Sequence, residues 1–144
     1  NKLFIDNIQV DQIIKKIKTP VYCYSFSKLK KNILRFKQSF KSINPLICFS
    51  VKSNNNIKIL EQISKFGLGA DVVSKGELIA ALKSRIDPKK IVFSGVGKTR
   101  EEIEFAIRKR ILLINGSLTK GMMYFALVGL TLMKNSHKNL LKTI

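Results

Sequence analysis

From residue 46 onward, short apolar runs alternate with helical patterns, and new runs open at residues 46, 69, 91 and 111. Consecutive strands joined through a helix run parallel, and such crossovers are right-handed. Four strand–helix steps build either half of a (β/α)8 barrel or part of a doubly wound sheet. Spacing alone does not choose between the two.

The run Leu-Ile-Cys-Phe-Ser-Val at 46–51 is a buried strand by its length and continuity. A short helix over 57–66 stops at Gly67, and a strand follows over 69–73. Ser74 and Glu77 form an S-x-x-E capping box that opens a helix running to about Lys83. Asp87-Pro88 is a turn, 91–94 a strand, and Thr99 with Glu102 a second capping box opening a helix through Arg110. A last strand is expected over 111–115. Upstream, Thr19-Pro20 introduces a strand over 21–25. A helix over 26–43 carries Leu29, Ile33, Phe36, Phe40 and Ile43 as one core-facing stripe, and Asn44-Pro45 ends it. After Asn115 no strand–helix period continues.

A chain of 144 residues has room for one domain with a real core. It falls short of the roughly 250 residues of a closed barrel. Lys and Arg number 27 against 9 Asp and Glu, a net charge of +18. These charges are spread along the chain, with no compact basic stripe interleaved with aromatics. They read as a compositional bias, not as a specific nucleic-acid interface. Cys23 and Cys48 lie in apolar runs, far apart, and read as two reduced core thiols. With one histidine, His137, a His-based metal site is not expected. No long apolar leader opens the chain, and 121–133 is shorter than the roughly 20 residues of a membrane span. The expectation is a cytoplasmic protein without membrane contact.

Lys52 follows the run at 46–51 and precedes Ser53-Asn54-Asn55-Asn56, so it sits at the C-terminal end of a parallel strand. Ligand sites form at that end in barrels and open sheets alike. Partial desolvation there would free a neutral amine for Schiff-base chemistry. The bland alternative is a lysine snorkelling from a strand end. Asp71 interrupts an apolar strand one unit later, where a carboxyl needs a partner; it could equally be a turn or capping residue. The segment Ser94-Gly95-Val96-Gly97-Lys98-Thr99 looks like a phosphate loop, but the first glycine of that motif would fall at Val92. The loop is too short to wrap phosphates.

Several of these stretches together are similar to one family. T-P-V-Y-C-Y at 19–24, F-S-V-K-S-N at 49–54, D-V-V-S-K-G-E-L at 71–78 and I-V-F-S-G-V-G-K at 91–98 stand in the order and spacing of the diaminopimelate decarboxylases. These belong to the alanine-racemase-like class of pyridoxal phosphate enzymes. The resemblance spans about 19–115. It implies a partial (β/α)8 TIM barrel of about the first four βα units, without the C-terminal β-domain. It implies Lys52 as the lysine that carries pyridoxal 5'-phosphate, with Asp71 in the cofactor pocket. Ser50 stands there where the family has a small alanine, Ser53 replaces another alanine, and Lys75 replaces a glycine.

On that resemblance, 1–25 holds a strand that joins the second domain, 26–115 is the cofactor-binding barrel portion, and 116–144 is a divergent tail. The implied activity is decarboxylation of meso-diaminopimelate to L-lysine, with an amino-acid substrate and a homodimer for the full-length family. The match fades after Asn115, and further family residues for ring stacking, phosphate binding and catalysis have no counterpart. The chain is therefore expected to be a truncated or frameshifted product, inactive alone. A non-catalytic, cofactor-binding remnant and a nucleotide-binding α/β module are the rivals.

Overall fold

The computed structural model describes residues 2–115, in two compact units that divide after Pro45. The expectations placed on 116–144 lie outside the described residues.

In the first unit, β1 (Phe4–Ile5) pairs antiparallel with β2 (Ile8–Gln9), and α1 (Val10–Lys16) follows directly. Asp6, at φ 52°, makes the tight turn between the two strands. Its carboxyl accepts hydrogen bonds from the hydroxyls of Ser25 and Ser27, which hold it below the usual aspartate range. Ser25 also caps α2 (Phe26–Ser39) by accepting from the Lys28 N–H at 3.0 Å.

Three expectations need correction here. Residues 21–25 are irregular: no described strand pairs with them, and an unpaired segment cannot form a ladder. Cys23 is consequently exposed and is no core thiol. The helix ends at Ser39, short of residue 43, and its stripe is only half covered. Ile33 is buried and Leu29 half-buried, while Phe36, Phe40 and Ile43 are exposed. Phe36 and Phe40, one turn apart, shield each other with ring centroids 4.8 Å apart.

The second unit is a four-stranded parallel sheet in the order β3 (Cys48–Ser50), β4 (Gly69–Val72), β5 (Ile91–Phe93), β6 (Leu113–Ile114). The crossovers contain α3 (Ile57–Lys65), α4 (Lys75–Lys83) and α5 (Arg100–Arg108). Side chains alternate across a strand, so register sorts them into two faces. Ala70, Val72, Ile91 and Phe93 point one way and are fully buried, together with Leu60 and Ile63 of α3, Leu78 and Ala81 of α4, and Ala106 of α5. Cys48, Ser50, Asp71 and Val92 point the other way and are half-buried, and Leu113 is exposed. Sequential strand order with the helices on a single face is a barrel wall, whereas a doubly wound sheet carries helices on both. The ambiguity left by the spacing is resolved in favour of the barrel.

Local chemistry sets the element ends. Gly67, at φ +72°, closes α3 in a Schellman arrangement: Leu68 N–H donates to Ile63 O at 3.2 Å and Gly67 N–H to Ser64 O at 2.8 Å. Gly69 is required for a different reason. A Cβ there would lie 2.1 Å from the Lys90 carbonyl oxygen, so backbone and strand meet with no room for a side chain. The capping box at Thr99 and Glu102 forms in full. That at Ser74 and Glu77 forms by half: Ser74 Oγ accepts from Glu77 N–H, but Glu77 reaches back to Val73 N–H at 2.8 Å, one residue beyond the cap.

Candidate functional site

The C-terminal ends of β3 and β4 carry the chemistry-bearing residues singled out in the sequence. Ser50 and Asp71 are register partners on these adjacent strands, which turns both side chains onto the inner face. Ser50 Oγ and Asp71 Oδ1 are sealed from solvent and neither has a hydrogen-bond partner among the described residues. Buried polar atoms are normally satisfied, so two orphans side by side mark a place that accepts something more. Cys48, earlier on the same face of β3, has its thiol pushed up by burial and then by the nearby Asp71 charge. Its Sγ donates weakly to Lys90 O at 3.6 Å.

Lys52 sits two residues beyond the end of β3, in a 3-10 turn over Val51–Ser53. Val51 is fully buried and anchors that turn. Asn54 N–H donates to Val51 O at 3.0 Å, and Ser53 Oγ to Ser50 O at 2.6 Å. Asn54 Oδ1 accepts from Asn56 N–H, and Asn56 in turn caps α3 through Lys58 N–H at 2.9 Å. The polar run after Lys52 is thus a chain of local hydrogen bonds that fixes the backbone beneath it. The Lys52 side chain itself is exposed. The expected desolvation is not met, because the residue lies past the strand end, where no described layer covers it.

Lys98 went unassigned in the sequence beyond its place in the glycine loop. It is buried, at 7% exposure. Its Nζ donates to the carbonyl oxygens of Gly95 and Asn115 and lies 5.1 Å from the Phe93 ring centroid. Burial lowers its pKa below the ordinary lysine value. An amine spent on two carbonyls is not offered to a phosphate, which removes the main support for a nucleotide loop here. The signal available in the sequence was position: a lysine directly after a strand–glycine loop can fold back across the strand ends.

Glu102 is the other residue whose reach the sequence understated. Besides its own capping box, its Oε1 accepts from Lys75 N–H, the first residue of α4. Lys75 Nζ pairs with Glu101 and lies 5.5 Å from the Phe105 ring centroid. Among the described residues no three His, Cys, Asp or Glu side chains group as metal ligands, and no helix is long and apolar enough to cross a membrane.

Comparison with known proteins gives this arrangement a context. Residues 26–122 match the family model described as pyridoxal-dependent decarboxylase, pyridoxal binding domain. The diaminopimelate decarboxylase of Helicobacter pylori strain J99 is 47% identical over 105 residues, covering 73% of this chain and 26% of that protein. The crystal structure of Helicobacter pylori diaminopimelate decarboxylase complexed with L-lysine aligns at a TM-score of 0.75 and 38% identity, over 88% of this chain and 31% of that one. A crystal structure from Aquifex aeolicus aligns at 0.83 and 32% identity, over 92% and 33%. The chain spans about a quarter of the length of the curated relatives it matches.

Proposed function

Because the chain belongs to the pyridoxal-dependent decarboxylases, within their pyridoxal-binding domain, we propose that it contributes the cofactor-lysine portion of a diaminopimelate decarboxylase acting in lysine biosynthesis. Lys52 is the residue assigned to hold pyridoxal phosphate, with Asp71 and Ser50 lining the pocket beside it. One observation carries this reading. Ser50 and Asp71 present unsatisfied buried oxygens on the inner face at the end of β3 and β4, and Lys52 follows within the same turn of chain. A polar cofactor edge that carries an N–H or O–H is a chemical fit to that pair.

When bound, pyridoxal phosphate supplies the electron sink for charge left as a carboxylate departs. The residues of this chain do the rest of what falls to them. Lys52 offers an amine from a backbone held by Val51, Asn54 and Asn56. Asp71 offers a hydrogen-bond acceptor beside it. Such fixed positions matter because orientation accounts for much of catalysis.

The substrate class is a small diamino acid, and the setting cytoplasmic, without specific nucleic-acid or membrane partners. The assembled enzyme is expected to be a homodimer. The segment alone lacks most of the length of its relatives and is expected to release no carbon dioxide from diaminopimelate. Treatment with pyridoxal phosphate and borohydride, then peptide mass spectrometry, tests the reading. The label should fall on Lys52 and vanish in Lys52→Ala. Labelling elsewhere, unaffected by that substitution, overturns it.

A further inference from the structure

Ser50 is a serine where alanine serves in the family the chain resembles. The structure puts its hydroxyl in a place where a hydroxyl is costly without a partner. Ser50 Oγ and Asp71 Oδ1 face the same side of two paired strands, both fully shielded and both without a hydrogen bond among the described residues. The third such atom, Ser84 Oγ, lies at the far end of α4 and has no orphan beside it. The coincidence at the strand ends is therefore local to the site.

We infer that Ser50 is a positioning residue which, with Asp71, forms a two-point seat for the hydrogen-bond-donating edge of the pyridoxal group, and not for its phosphate. This rests on the cofactor reading above and extends it. The chemistry narrows the guest. A carboxylate accepts and does not donate, while a hydroxyl does both. A group held between them must bring an N–H or O–H to Asp71 and can exchange a second bond with Ser50. A phosphate dianion brings like charge to Asp71 and is rejected. Neither Cys48 nor Val92, the neighbours on this face, supplies a competing acceptor of that strength.

The free protein and the loaded protein then respond oppositely to Ser50→Ala. Removing an unpartnered buried hydroxyl leaves the melting temperature of the free chain unchanged or raises it, because nothing is lost but a desolvated group. Affinity for pyridoxal phosphate falls by roughly two- to tenfold, the worth of one hydrogen bond, and the absorbance maximum of the bound cofactor shifts. Asp71→Asn weakens binding more. Adding Ser50→Ala to it has little further effect, since the two share one guest. Inorganic phosphate, used as a competitor, has the same inhibition constant against wild type and Ser50→Ala once the difference in cofactor affinity is allowed for.

Titration of these four proteins with pyridoxal phosphate, followed by absorbance, together with thermal unfolding of each free chain, reads every arm. Three results overturn the seat: a free Ser50→Ala chain that melts lower than wild type, unchanged affinity and spectrum, or a phosphate inhibition constant that changes with Ser50. Wild-type chain that takes up no pyridoxal phosphate at all overturns the cofactor reading, and the seat with it.

Discussion

Glu102 joins the starts of two helices to each other through Lys75: its Oε1 accepts from the Lys75 N–H at 3.0 Å while its Oε2 accepts from the Thr99 N–H at 2.9 Å. One carboxylate therefore caps α5 and helps cap α4, at the same end of the sheet as Ser50 and Asp71. Helix starts leave N–H groups unpaired, and negative charge there is favoured by the helix dipole. Glu102→Ala should cost about 1–2 kcal/mol, measured by urea unfolding. A loss no larger than that of an exposed surface substitution would show that the second cap contributes nothing.

The same carboxylate predicts acid sensitivity. Hydrogen bonds from the Thr99 and then the Lys75 backbone hold Glu102 below the ordinary glutamate value. Its folded pKa is lower than its unfolded one, so its contribution is complete above about pH 4.3, the unfolded value. It is lost as pH falls through the folded value. The melting temperature should decline more steeply with acid in wild type than in Glu102→Gln. Parallel declines would remove Glu102 from the account.

Gly69→Ala should destabilise by at least about 2 kcal/mol, because the new Cβ meets the Lys90 carbonyl and the Cys48 sulfur. The Cys48 side chain can rotate away; the Lys90 backbone cannot without moving β5. Chemical denaturation of the purified variant measures it, and a cost under half of that would mean that β4 and β5 slide apart easily.

Lys98→Met keeps a flexible apolar side chain and removes the ammonium, with its two bonds to Gly95 and Asn115 and its place near the Phe93 ring. The expected loss is about 1–3 kcal/mol, with faster hydrogen exchange at Asn115, whose N–H donates to Phe93 O at 2.8 Å. Exchange at that amide equal to wild type would show that the ammonium does not hold the end of β6.

The described sheet leaves β3 and β6 each with one unpaired side, and Leu113 exposed on the inner face. Parallel sheets are stable with both faces covered, and open edges pair with other chains. The chain as purified should self-associate with rising concentration in analytical ultracentrifugation. A monodisperse monomer with one sharp melting transition would contradict this.

Much of the second unit is legible in the sequence. The alternation of strands and helices, the helix starts at Ser74 and Thr99, the stop at Gly67 and the placing of Lys52 after β3 are local matters of apolar period, capping and turn chemistry. Elements ran shorter than expected because pairing, and not apolarity, ends a strand: 111–115 became Leu113–Ile114, and 21–25 found no described partner. The choice of a barrel wall over a doubly wound sheet came from the register that sends Ala70, Val72, Ile91 and Phe93 to one face. So did the meeting of Ser50 with Asp71, 21 positions apart in the chain and adjacent across the sheet. Neither the double cap by Glu102 nor the folding of Lys98 onto two carbonyls follows from a local pattern. The Glu102–Lys75 and Lys98–Asn115 bonds span elements whose separation only the packed sheet sets. A single chain reports its own helical and extended periods, but says nothing of which distant carbonyl or amide will stand 3 Å from a given side chain.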